Sequence, residues 1–447
     1  MRRRQVLRVV ALLLILPLLC CAGLVLPARY QQSYFGGLAL KAERLRTAEG
    51  PRVIVIGGSS VAFGLDSALA EENLSGYCFV NFGLYAALGT PLMLELALAD
   101  IRAGDIVIIS PEQQAQTLSD SFDSAMTWQA LDSDLSLLTR VDARHYAALA
   151  AALPAFTVSK VKLLLRNETP AGDDIYTLSS LNAYGDIDNP LVAANTMPGG
   201  YDASMPVDLT ETGLPDADFI DLVNGFAAQA REKGASVWWR FCPMNAAALT
   251  EGSDPDAYAE SLAALLDFPI LGDPNDSVLD AGWFFDTNFH LNQSGQTLNT
   301  RRLVRALKAE LGDTSVTAID LPEEPAVTAA ERAGSDADAG LFLYEITDSG
   351  AVITGVTEEG KRRDTLTVPA HAPDGSAVIR LADGCLSGCD RLTALILTES
   401  DPNACVPGDA LTDGTLPRIL VPAGTGEKYR LNYFWSVYAG SIAEQSP

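Results

Sequence analysis

Residues 53–66, reading VIVIGGSSVAFGLD, constrain this chain more than any other stretch. Val53, Ile54, Val55 and Ile56 form an apolar β-branched run too short for a helix, and Gly57, Gly58, Ser59 and Ser60 break it. The pattern predicts a buried strand ending in a tight turn. A strand that needs both faces covered belongs in the middle of a parallel sheet, and open α/β sheets bind ligands outside the carboxyl ends of their strands. A serine at this turn is placed for chemistry; its plainer reading is a helix cap.

The pattern recurs downstream. Residues 77–82 (YCFVNF) and 105–110 (DIVIIS) read as further strands, and residues 66–73 and 91–100 read as helices between them. Strands alternating with helices of this length predict a parallel sheet with right-handed crossovers. From 113 to about 215 the texture is irregular, with helices expected at 133–152 and 159–165 and a Gly-, Pro-, Asn- and Asp-rich run at 182–201. An insertion of that length reads as a lid or binding region, or as a surface elaboration. Regularity returns with a helix at 216–233, strands at 236–241 and 268–271, a helix near 256–266 and a last helix at 294–311. Arg301, Arg302, Arg305 and Lys308 on that helix read as a solvated face.

Both ends of the chain differ from this middle. Arg2, Arg3, Arg4 and Arg8 precede an uncharged apolar run at 9–26, long enough to cross a bilayer. The basic flank predicts an uncleaved single-pass anchor with everything after Arg29 outside the membrane, in which case residues 29–50 form a helical stalk. A cleaved signal peptide at Cys20-Cys21-Ala22 is the alternative. Residues 313–340, rich in Ala, Asp, Glu, Thr and Pro, read as a linker. Beyond it, short apolar stretches near 341–346, 351–356, 365–369, 378–381, 392–397 and 419–422 predict a small β-rich repeat module. The expected domains are therefore 1–28, 29–312 and 341–447, with 313–340 between the last two.

Composition narrows the chemistry. Against 31 basic residues stand 57 acidic ones, a formal net charge of −26, which argues against binding a nucleic-acid backbone. Three histidines, and cysteines without zinc spacing, supply no evident metal centre, and no cofactor is expected. Five cysteines lie beyond the anchor; Cys385 and Cys389 read either as a disulfide or as buried free thiols. Of the histidines, His145 and His371 read as structural or solvated. His290 follows Asp286 closely, and a carboxylate beside an imidazole fixes its tautomer and makes it a competent base toward a serine hydroxyl.

These residues together resemble the SGNH/GDSL hydrolases. Gly58-Ser59-Ser60-Val61-Ala62-Phe63-Gly64 is similar to that family's nucleophile block, with Ser59 where its aspartate stands, and the spacing to Gly64 makes Ser60 the nucleophile and Ser59 the fallback. Gly83, in Val80-Asn81-Phe82-Gly83, is similar to the second block, whose amide joins the nucleophile's own N–H in the oxyanion hole. Residues 285–292, with Asp286 as acid and His290 as base, resemble the last block, although the family's usual spacing would place the acid at Thr287. The family's third-block asparagine is replaced by Ser110-Pro111-Glu112-Gln113-Gln114, where Gln113 or Gln114 reads either as an amide offered to the oxyanion or substrate or, more plainly, as a helix cap or a solvent-exposed side chain. The resemblance implies a flavodoxin-like sheet, an acyl-enzyme on Ser60, and esterase or O-acyltransferase action on acyl groups of envelope or extracellular glycans. A catalytically inactive surface adhesion or scaffolding protein is the alternative. Residues 341–440 loosely resemble BspA-like leucine-rich repeats, which implies a surface ligand for that module; with too few repeats for a long solenoid, a plain stabilising appendage is the equal alternative.

Overall fold

The computed structural model describes residues 23–170, 175–327, 338–347, 350–373, 375–408, 410–422, 424–432 and 434–445. Most of the expected membrane anchor, residues 1–22, lies outside them. The chain divides into two compact units, Met1–Ala329 and Ala330–Pro447.

The first unit is a mixed α/β structure built on a parallel four-stranded sheet. Its strands are β1 (Arg52–Gly57), β2 (Cys78–Gly83), β3 (Ile106–Ile109) and β4 (Ser236–Trp239), ordered β2-β1-β3-β4. Ile56 is in register with Phe82 on one side and Ile109 on the other, so the strands end together. Ile54, Ile56, Val80, Phe82, Val107 and Ile109 face one apolar core, whereas Val53, Val55, Phe79, Ile106 and Ile108 face another. Two buried faces are why β1 reads as an unbroken apolar run rather than an alternating one. The region expected as a strand at 268–271 contributes only an isolated bridge from Ile270 to Trp239.

Helices cover both faces. The chain order is α1 (Gly37–Thr47), the short α2 (Ser59–Ala62), α3 (Ser67–Asn73), α4 (Thr90–Leu98), α5 (Ser124–Leu131), α6 (Tyr146–Arg166), α7 (Ala217–Glu232), α8 (Pro255–Ala263) and α9 (Gln293–Leu311). Leu38, Leu92 and Val223, from α1, α4 and α7, pack in the first core, while Leu303, Val304 and Leu307 of α9 pack in the second. Asp66, Asp123, Asp216, Asp254 and Asn292 cap five helix N-termini through their side chains, which satisfies amides that have no intrahelical partner.

Several expectations change here. The expected stalk is part of the body, because Leu38, Lys41, Ala42 and Leu45 of α1 are buried. The two helices expected at 133–152 and 159–165 are replaced by short 3-10 turns and then one helix, α6, which runs through Pro154. Pro154 is exposed and has no N–H to donate, so the helix continues through it with one backbone hydrogen bond fewer. Lys308 is not solvated: its ammonium is buried and donates to Ser315 O and Val316 O. Part of the expected linker also belongs to this unit, since Ile319 is buried in the second core and Glu324 accepts from Gly282 N.

The second unit is β-rich. A strand at Phe342–Thr347 pairs antiparallel with Gly350–Val356, and the strands after it are parallel, falling into two four-stranded sheets. Leu366, Leu395, Ile419 and Ile442 stack in register through one sheet to form a buried aliphatic ladder. Cys385, Cys389 and Cys405 of this unit are free thiols, so the expected disulfide alternative is not formed; burial pushes the Cys385 thiol up to about 12.

Candidate active site

The strand β1 stops at Gly57, and Gly58 turns the chain into α2, of which Ser59 is the first residue. The His290 Nε2 atom lies 2.7 Å from Ser59 Oγ, and its Nδ1 lies 2.8 Å from Asp286 Oδ1. When Nδ1–H donates to Asp286, Nε2 is the acceptor for the Ser59 hydroxyl, the arrangement of a general base. Ser59 and His290 are 5 % and 6 % exposed, buried enough to strengthen these contacts.

Ser60, the expected nucleophile, is outside this line. It is fully buried, and its Oγ has no hydrogen-bond partner among the described residues. Consecutive helical residues point about 100° apart, so once Ser59 faces the histidine, Ser60 must face the core. The spacing to Gly64 has a different origin: a Cβ there would stand 2.4 Å from Ser60 O, so glycine is required by close backbone approach.

The remaining expected site residues also shift. Gly83 N–H donates to Asn81 Oδ1 at 3.1 Å and so is already engaged; a Cβ at Gly83 would meet Val61 Cβ at 2.4 Å, so the residue lets β2 pass close to α2. Gln113 Nε2 donates to Tyr258 OH and Gly213 O, away from an oxyanion role. Gln114 is half-buried, and its backbone N–H closes the turn on Glu112 O at 2.8 Å. Glu112 holds the place expected for these amides. Its Oε1 accepts from Ser60 N–H at 2.7 Å and lies 3.4 Å from Ser59 Oγ, and its buried Oε2 has no hydrogen-bond partner among the described residues.

The acid and base are held from several sides. Phe63, following α2, stacks on the His290 ring with centroids 4.1 Å apart. Tyr176 OH donates to Asp286 Oδ2 at 2.6 Å. Thr287, at the spacing expected for the acid, instead accepts from the backbone of Phe289 and His290 and closes the loop that presents the imidazole. Asn292 caps α9 and donates to Gly282 O and Phe284 O, fixing the base of that loop. Burial pushes the Asp286 carboxyl up, but the charge of His290 and hydrogen bonds from His290 and Tyr176 outweigh it and hold the group below the usual carboxylate range. The Asp286–His290 pair thus persists as the pH falls to the ordinary range of an aspartate and is lost only below it.

A second buried network fixes the turn from beneath. Asn81 Nδ2 donates to Val61 O and to Asp186 Oδ1, each at 2.8 Å, while Asn81 Oδ1 accepts from Gly83 N and from Lys41 Nζ. Asp186 also accepts from the Ser67 amide and hydroxyl. Burial pulls the Lys41 ammonium down to about 7 against a partial upward pull from Asp186. The unfolded chain carries an ordinary lysine, so between about pH 7 and 10 it binds the additional proton and stability rises with pH. Denaturant titrations at pH 7 and pH 9 will show this gain in the wild-type chain and its absence in Lys41→Met; an equal slope in both would remove Lys41 as its source.

Sequence reading missed Glu112, Tyr176 and Lys41. Glu112 was visible only as a departure from the third-block asparagine, and Tyr176 and Lys41 had no motif around them. Among the described residues, no group of three or more His, Cys, Asp or Glu side chains is arranged to hold a metal ion. His145 stacks on Phe122 and lies 3.2 Å from Glu95 Oε1, far in sequence from the serines. No protein-family profile matches the chain, and no curated protein matches it in sequence.

Proposed function

We propose that the first unit is a serine hydrolase or acyltransferase of the SGNH type, with Ser59 as nucleophile, His290 as base and Asp286 as the acid that orients it. The line Ser59–His290–Asp286 carries this reading. The strand order β2-β1-β3-β4, with the serine outside the carboxyl end of β1, supports a flavodoxin-like fold. In the reaction, His290 Nε2 removes the Ser59 proton while Oγ attacks an ester carbonyl. The tetrahedral intermediate collapses to an acyl-serine, and the same proton passes to the departing alkoxide. Water as acceptor then completes hydrolysis, and a sugar hydroxyl completes transfer. The N–H of the residue after the nucleophile is a recurrent oxyanion donor, and here it belongs to Ser60. An anchor at 9–26 would hold the unit at the outer face of a membrane beside acylated envelope glycans, which we take as the substrate class. The β-rich unit would bind a surface ligand.

One observation favours the alternative, a catalytically silent adhesion or scaffolding protein. The Glu112 carboxylate occupies Ser60 N–H, where a developing oxyanion would need that donor, and its charge would repel the oxyanion. Turnover requires Glu112 to release this amide. Detergent-solubilised full chain treated with a fluorophosphonate will carry the adduct on Ser59, and Glu112→Gln, which removes the charge, will react about tenfold faster, roughly 1.4 kcal/mol. No adduct in either protein, and no hydrolysis of p-nitrophenyl acetate, would leave the scaffolding reading.

A further inference from the structure

The segment Ala143–Arg166, which contains α6, is long and apolar enough to cross a membrane, yet only 22 % of its most apolar window is buried. Leu149, Phe156, Thr157 and Lys160 anchor the helix to the first unit, and Lys160 forms a buried ion pair with Asp132. On the opposite side Ala147, Ala151, Pro154, Val158, Val161 and Leu165 are all exposed and follow one another at alternating steps of four and three, a single apolar seam along the helix. Val158 is 53 % and Leu165 83 % exposed. Water gains nothing from such a face, and a contiguous exposed apolar stripe marks a partner.

Two observations identify the partner as a lipid bilayer. The first is charge: in a chain of net charge −26, residues 143–166 contain no acidic residue, and of their basic residues Lys162 is exposed, while Lys160 is buried against Asp132, Arg144 pairs with Glu95 and Arg166 with Glu168. An apolar face that carries no carboxylate of its own suits the boundary between headgroups and lipid chains. The second is where the N-terminal apolar run meets the body. Its described end begins at Gly23, whose carbonyl accepts from Lys160 Nζ at 2.8 Å and whose backbone packs against Thr157 in the middle of α6. Read as helix, residues 9–22 would supply about 21 Å of rise, short of a hydrocarbon core of about 30 Å. A span by this run therefore draws Gly23, and α6 with it, down to the bilayer surface. Val25, 85 % exposed, extends the same apolar neighbourhood.

We propose that α6 lies in the outer interface of the bilayer, its seam from Ala147 to Leu165 sunk among the lipid chains, so that the body is held flat on the membrane. The proposal rests on the anchor reading of residues 9–26 and not on the activity of Ser59. Its test uses full-length chain reconstituted in vesicles of phosphatidylglycerol and phosphatidylcholine, with an environment-sensitive fluorescent amino acid incorporated at position 158, 165 or, as a water-exposed reference on α8, 260. Probes at 158 and 165 will emit at shorter wavelength than at 260 and lose at least half their intensity to brominated lipid, with no loss at 260. If the chain sediments with the vesicles but probes at 158 and 165 stay open to aqueous iodide like that at 260, the proposal is overturned while the anchor stands. Failure to sediment overturns both. A blue shift that follows protein concentration in detergent, without quenching by brominated lipid, overturns it in favour of pairing between copies.

Discussion

Replacing Ser59 by alanine will lower kcat/KM for a small acyl ester by at least about 10³-fold, whereas Ser60→Ala will stay within about tenfold of wild type. The two serines are adjacent and chemically identical, so the contrast isolates geometry. Ser59 Oγ is 2.7 Å from the base, and Ser60 Oγ is sealed in the core without a partner. Losing the Ser60 hydroxyl removes no bond and leaves its backbone N–H, the proposed oxyanion donor, in place. Steady-state kinetics on both variants, with thermal unfolding as a control for folding, decides the matter. An inactive Ser60→Ala beside an active Ser59→Ala would restore the family spacing over the geometry and overturn the site proposed here.

Removing the Asp105 carboxylate will destabilise the first unit by about 3–5 kcal/mol, as expected when one member of a buried ion pair is left alone. Arg52, the first residue of β1, and Asp105, just before β3, are 0 % and 1 % exposed, and the guanidinium grips the carboxylate through both Nε and Nη2. Arg52 also donates to Leu45 O and Asp100 O, and Asp105 accepts from Arg102 N, so the pair ties α1, β1 and the turn before β3 together. Asp105→Ala leaves a charged guanidinium in a dry site with carbonyls alone to solvate it. Arg52→Met combined with Asp105→Leu will recover most of the loss, because neither charge is then stranded. Urea unfolding of the three proteins measures both differences; a single variant within about 1 kcal/mol of wild type would mean that the site opens to water.

The contrast between Ser59 and Ser60 shows where sequence reasoning reached its end. The apolar run of β1, the glycines after it and the companion strands at 77–82 and 105–110 were legible because buried parallel strands leave an unbroken apolar signature. His290 and Asp286 were legible because an acid one turn before an imidazole is a local pattern. The spacing of Gly64 misled, since it records the approach of its own backbone to Ser60 O.

By itself, then, the sequence determined an apolar strand pattern, a serine-bearing turn at its end, and an acid close before an imidazole, all of them patterns within a few residues. Only the tertiary structure decided which serine meets the imidazole, since that depends on the phase at which α2 leaves β1. It alone brought Glu112 to the Ser60 amide, Tyr176 to Asp286 and Lys41 beneath Asn81. Those partners lie between 40 and 110 residues apart, a distance at which no local pattern constrains the chain and only packing of the whole unit does.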